Sequence, residues 1–137
     1  MNRADLQKLS NARIREAKIL FNAGEYSGAY YLAGYAVECA LKACIAKAVK
    51  RYDFPDKSLA QDSYVHDLGK LLKLADPNSE LVTATQVNPL LNASWNLVKS
   101  WTEQSRYTIK AKNEAEAVID AITRKRDGVL PWIKRRW

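Results

Sequence analysis

Histidine is almost missing from this sequence: there is one, His66, among 137 residues, with two cysteines and one methionine beside it. Cys39 and Cys44 are five apart in a helical stretch, roughly 140° round the axis from each other. They cannot bridge within one chain, and with a single histidine they do not make a metal site. They read as buried thiols of a reducing cytoplasm. Glycine and proline are also scarce, five and four, while 47% of residues are hydrophobic. That balance excludes a disordered chain and favours a compact helical one. No internal repeat, linker, signal peptide or membrane span is visible, since Met1–Ser10 is polar and charged. The length suits one domain, 1–137, able to bury most of its apolar surface without staples.

What is present is organised around Gly28–Val49, GAYYLAGYAVECALKACIAKAV. Its charged groups are Glu38, Lys42 and Lys47, and Tyr31, Tyr35, Glu38 and Lys42 share one stripe. A helix apolar almost all round is buried on most sides. Glu38 and Lys42 interrupt the roughly 20 apolar residues that a membrane span would need. The small residues Ala29, Ala33, Gly34, Ala36, Ala40 and Ala43 let neighbours approach closely. This is the central helix of a bundle, beginning near Tyr26–Ser27.

Asn2–Asn22 reads as an amphipathic first helix with Leu6, Leu9, Ile14, Ala17, Leu20 and Phe21 inward. Gly24 stops it, and the short Ala23–Glu25 connection predicts an antiparallel hairpin. Lys50–Ser63, with Pro55, reads as a long loop whose Tyr52 and Phe54 tuck onto the bundle, or which forms a lid over a site. His66 opens a short helix, HDLGKLLKLA, as a capping or packing residue, and Asp76-Pro77 ends it. Ser79 is the expected cap of a segment through Val87, and Asn88-Pro89 a second start. From Leu90 the residues Leu90, Leu91, Trp95, Leu97, Val98 and Trp101 share a face, expected to be the main partner of the central helix. The pattern lapses at Glu103–Tyr107. From about Asn113, Ala115, Val118, Ile119, Ile122, Val129, Leu130 and Ile133 keep one phase, which predicts a single long helix kinked near Asp127–Gly128 by Pro131. The expectation is an all-α, up-and-down antiparallel bundle of four to five helices.

The net charge is +7, of which residues 106–137 carry +5, nine Lys or Arg against four Asp or Glu. Arg124, Lys134, Arg135 and Arg136, beside Trp132 and Trp137, suit an electrostatic surface for RNA with stacking aromatics; a solvated helix with a frayed tail is the plainer alternative. Lys125 and Arg126 fall on the inward face of the expected long helix. Glu38, if buried, needs more than its i,i+4 partner Lys42, worth only about 0.2–0.5 kcal/mol; Arg106 is a natural second partner.

NAGEYSGAYYLAGYAVECALKACIAK, a histidine opening a Leu-rich helix (His66-Asp67-Leu68), and Trp101 ahead of Ser105-Arg106-Tyr107 together resemble the HEPN domain family. The resemblance covers most of the chain and is carried mainly by AGYAVECALKA. It implies a helical bundle, a homodimer and a cleft for nucleotide or RNA. It also implies, for many relatives, a minimal nucleotidyltransferase partner, and for some a ribonuclease toxin of a toxin–antitoxin pair. In catalytic members an arginine is followed by four to six residues and a histidine. Arg106 fits the arginine, but Ala111, Lys112 and Asn113 occupy the histidine positions. Arginine is a poor proton shuttle, and Lys112 would need a strongly lowered pKa to act as a base. The expectation is therefore a nucleotide- or RNA-binding module using Arg106, Tyr107, Glu38 and Lys112, without cofactor or metal. The alternatives are a metal-independent ribonuclease built on Arg106 and a dimerising scaffold with a decayed site.

Overall fold

The computed structural model describes residues 1–49 and 57–137. Its first two helices, α1 (Arg3–Asn22) and α2 (Tyr26–Ala48), form the expected hairpin. Asn2 and Asp5 start α1 as a capping box: Asp5 N–H donates to Asn2 Oδ1 (2.9 Å) and Asn2 N–H to Asp5 Oδ2 (3.1 Å). Gly24, at φ +83°, ends it in the left-handed conformation glycine adopts without strain. Ser10, fully buried on α1, donates its hydroxyl to Ala36 O at 2.7 Å, while Leu20 lies against Gly28. Pairing 10 with 36 and 20 with 28 fixes the antiparallel sense. Ala29, Ala33, Ala36, Ala40 and Ala43 of α2 are all fully buried, so close packing follows from small side chains.

Six further α-helices follow: α3 (Lys57–Ser63), α4 (Leu68–Ala75), α5 (Glu80–Val87), α6 (Pro89–Val98), α7 (Lys112–Thr123) and α8 (Val129–Lys134), with a 3₁₀ turn at Glu103–Tyr107. The fold is all-α, but it holds eight α-helices among the described residues where four to five were expected. Each extra break has a local cause. Within Lys50–Ser63, residues 57–63 are helical; Tyr52, Phe54 and Pro55 lie outside the described residues. α4 is capped by Asp67, which accepts Lys70 N–H at 2.8 Å. α5 is capped by Asp76, whose two carboxylate oxygens accept Glu80 N–H and Leu81 N–H at 2.9 Å each. Ser79, the expected cap, instead takes φ +55° and makes the turn. Asn88 caps α6 as its sequence suggests, accepting Leu91 N–H at 3.1 Å with Pro89 in the first turn.

The single long C-terminal helix is also corrected. Gly128 N–H donates to Arg124 O at 3.0 Å, closing a turn that ends α7 and starts α8. A Cβ on Gly128 would stand 2.3 Å from that carbonyl, so the turn needs glycine. Lys125 and Arg126 consequently sit exposed in the turn and not on an inward face.

One hydrophobic core joins all helices except α3, which adds only the partly buried Leu59. Twelve residues of α2 are buried by its own chain, chiefly by α1, then α7 and α4. α6 packs on α7 and is not the main partner of α2. Its Leu91 and Val98 are buried, while Leu90 and Leu97 are exposed. Trp101, past the helix end, reaches α2: its indole lies on Gly34, where a Cβ would meet the ring at 2.3 Å.

Candidate functional site

The polar stripe of α2 is where the core admits chemistry. Tyr31 stacks on Tyr35 (centroids 6.2 Å) and on Trp101 (6.0 Å). One turn further on, Glu38 is 2% exposed. Its Oε1 accepts from Lys42 Nζ at 2.9 Å, and His66 Nδ1 lies 2.9 Å from the same atom. A buried carboxylate needs charged or hydrogen-bonding partners to offset its lost hydration. His66 fills the place expected of Arg106, reaching in from the segment before α4; it is not that helix's cap. Oε2 of Glu38 is buried and has no hydrogen-bond partner among the described residues. With its proton on Nδ1, His66 donates to Glu38, which leaves Nε2 of a half-exposed ring as an acceptor.

Arg106 stands on the 3₁₀ turn, which Trp101 anchors to α2. Ser105 N–H donates to Thr102 O and Thr108 N–H to Ser105 O, so Ser105 turns inward and Arg106 outward. The Arg106 guanidinium lies over the Tyr107 ring at 5.0 Å, and Tyr107 is 73% exposed. Hydrogen bonding to Tyr107, with a lesser contribution from Tyr31, raises the Arg106 pKa and keeps it cationic. Among the described residues no carboxylate pairs with it. The turn therefore offers a permanent cation and an aromatic face side by side, beside the tyrosines of α2. Lys112 is the first residue of α7 and exposed. Its neighbour Lys110 lies over Tyr30 at 4.5 Å and donates its backbone N–H to Ser27 Oγ at 2.9 Å, tying this segment to the start of α2.

His66 and the 3₁₀ turn, distant in sequence, are brought together. His66 and Asp67 line a recess shared with Thr102, Glu103 and Gln104, immediately before Arg106. No local periodicity marks this juxtaposition. The heptad-like signals describe which face of a helix is apolar, and His66 lies in the extended segment ahead of α4.

The basic C-terminal end lies elsewhere. Cys44 Sγ–H donates to Ile133 O at 3.8 Å, so α8 packs at the C-terminal end of α2. Tyr31 and Cys44 are separated by roughly 20 Å along the axis at 1.5 Å per residue. Arg106 and this end are thus two surfaces. Nor is the tail frayed. Lys134 donates to Asn11 Oδ1 at 2.7 Å and lies over Trp137, and burial lowers its pKa. Arg136 donates to Glu80 Oε2 (2.9 Å) and to Trp132 O (3.1 Å), with its guanidinium 3.6 Å from the centre of the buried Trp132 ring. Lys47 and Arg3 donate to the carbonyls of Arg136 and Trp137. Arg124 and Arg135 remain exposed.

Both cysteines are free and buried, and burial pushes each thiol up to about 11. Among the described residues no cluster of three or more His, Cys, Asp or Glu could hold a metal ion, and no helix is long and apolar enough to cross a membrane. A family model described as the HEPN domain matches residues 5–127. No curated protein and no solved structure matches the chain.

Proposed function

Because this chain belongs to the HEPN domain family, we propose that it is a nucleotide- or RNA-binding module that dimerises and serves as partner to a minimal nucleotidyltransferase, in a toxin–antitoxin or related system. The observation that carries the binding reading is Arg106: exposed, paired with no carboxylate among the described residues, and set against the exposed Tyr107 ring on a turn held by a buried tryptophan. A fixed guanidinium recognises phosphate through paired hydrogen bonds, and an adjacent aromatic face accepts a base by stacking. Lys112 and Lys110 add positive charge at the start of α7, and Glu38 orders the stripe from within. Arg124 and Arg135 supply a second, purely electrostatic surface; Lys134 and Arg136 are committed to holding the tail.

The dimer reading draws on the family and on exposed apolar side chains beside the site, Tyr107 (73%) and Ile109 (95%). It does not need a second copy to cover α2, which its own chain buries.

One observation favours RNA cleavage as a second reading. His66 is oriented by a buried carboxylate, as catalytic histidines are, and lines the recess next to the turn of Arg106. Against it, Asp67 and Glu103 line the same recess and repel a phosphodiester.

The test is a titration of AMP and of single-stranded RNA against wild type, Arg106→Ala and Arg124→Gln/Arg135→Gln at several salt concentrations, with cleavage followed in parallel. Arg106→Ala is expected to weaken AMP at least about tenfold, the loss of a charge-assisted contact. The double variant is expected to flatten the salt dependence of RNA binding by roughly 0.7 per lost phosphate contact. No cleavage is expected. Unaltered AMP affinity in a folded Arg106→Ala protein would remove the binding reading. Cleavage abolished by His66→Ala would install the second one.

A further inference from the structure

A groove of about 250 Å³ lies between α4, α5 and α6, and shares no residue with the recess of His66. Gly69, Leu72 and Lys73 line it from α4, at the i, i+3, i+4 spacing of one helical face. Val82 lines it from α5, and Trp95 and Lys99, one turn apart, from the C-terminal end of α6. Its centre is apolar: Leu72 and Trp95 are partly buried, Val82 is 55% exposed, and Gly69 adds no side chain. The volume falls below the roughly 300–1,000 Å³ of small-molecule sites and is the scale of one large side chain. The charges here are unevenly engaged. Asp76, the carboxylate of the lining, accepts Glu80 N–H and Leu81 N–H with its two oxygens, at 2.9 Å each. Glu80 itself pairs with Arg136 at 2.9 Å. Lys73 and Lys99 are exposed and pair with no carboxylate among the described residues. Both acids are thus held within the chain and both lysines are open, so an apolar centre is presented with a cation from each wall.

We propose that this groove docks an acidic segment of a partner protein. One large apolar side chain of that segment seats on Leu72, Val82 and Trp95, and carboxylates before and after it pair with Lys73 and Lys99. An anchor side chain filling a small pocket carries most of the energy of such a contact. The exposed ion pairs contribute less energy and set which partner is accepted. The net charge of +7 draws an acidic partner from further away. A nucleotide is the competing occupant, but a ring system with sugar and phosphate needs a larger site. Arg106 does not line the groove, so the inference goes beyond the nucleotide-binding reading and does not depend on it.

The experiment follows the Gly69 amide and Trp95 indole signals by NMR while end-blocked tripeptides are titrated into the full chain. Asp-Phe-Asp is expected to shift both signals and to saturate at millimolar concentration. Lys-Phe-Lys is expected to bind at least about fivefold more weakly, the effect of two exposed ion pairs. Asp-Ala-Asp, which lacks the anchor, is expected not to saturate. The Lys73→Glu/Lys99→Glu protein is expected to exchange the preference between the two Phe peptides. Val82→Trp, which fills the groove from an exposed position, is expected to abolish binding of Asp-Phe-Asp. Thermal melting checks that both variants fold; if Val82→Trp does not, the charge exchange decides. Equal binding of the two Phe peptides, shifts confined to other signals, or no binding of Asp-Phe-Asp would overturn the proposal. So would AMP displacing Asp-Phe-Asp from these two signals, which would make the groove a nucleotide site.

Discussion

Replacing Gly34 by alanine tests whether the site is built on the core. A helical glycine is normally improved by alanine, by about 1 kcal/mol in propensity. Here the new methyl group would stand 2.3 Å from three atoms of the Trp101 indole, far inside van der Waals contact. Trp101 is 1% exposed and also stacks on Tyr31, so its ring cannot swing into solvent without opening the core. Overpacking of this kind costs about 1–3 kcal/mol. Set against the propensity gain, the net expectation is a loss of roughly 0–2 kcal/mol. The more telling effect lies outside α2. Trp101 holds the 3₁₀ turn, so the displaced indole is expected to carry Arg106 with it and to weaken AMP binding. Gly28→Ala is the matched control, since its methyl group would meet only the end of the Leu20 side chain, at 3.2 Å. Chemical denaturation gives the stabilities, and AMP titration of the same proteins gives the coupling. Trp101→Leu in the Gly34→Ala background is expected to recover stability non-additively, because the two residues share one contact. A Gly34→Ala protein about 1 kcal/mol more stable than wild type, with unchanged AMP affinity, would refute the seating of Trp101 on Gly34.

Asp76→Ala is expected to destabilise by about 0.5–2 kcal/mol in a denaturant melt, because two backbone N–H groups of α5 lose their acceptor; Ser79→Ala, with no capping bond to lose, should change stability far less. Cys39 and Cys44 are expected to resist a thiol reagent near neutral pH until the protein unfolds. Their raised folded pKa also means that the unfolded chain loses thiol protons first above pH 9. Stability should then fall between about pH 9 and 11, and a Cys39→Ala/Cys44→Ala protein should show a shallower decline over that window. Sedimentation at micromolar concentration is expected to give a dimer of the 15.5 kDa chain; a monomer alone would remove the assembly from the proposal.

The fold class and the α1–α2 hairpin were legible because they rest on local signals. Asn2 caps, Gly24 ends a helix, and a small-residue, nearly all-apolar helix has to lie inside. The breaks were less legible. Ser79 and Asp76 both carry side chains suited to a cap, and only the backbone conformation of Ser79 decides between them. Val129 follows Ile122 by seven residues, so the apolar phase runs unchanged across the Arg124–Gly128 turn and hides it. The site was half legible. Tyr31, Tyr35, Glu38 and Lys42 are spaced for one face, and so read as a stripe. The pairing of Glu38 with His66 spans 28 residues and has no periodicity to announce it. The tail misled for a similar reason: charge density marks Lys134–Arg136 as cationic but does not reveal that Asn11, Glu80 and two tryptophans occupy two of the three.

Asn88 joins two of those hidden breaks. Its Oδ1 receives Leu91 N–H at the α5–α6 corner, and its Nδ2 donates to Asp127 Oδ1 at 3.0 Å in the α7–α8 corner. An amide can do this because its two ends are chemically opposite, one accepting and one donating. The α5–α6 and α7–α8 corners are therefore tied to each other by one side chain. In terms of hydrogen exchange they constitute a single opening unit: the amides of Leu91 and Gly128, 37 positions apart, should be exposed to solvent by the same event.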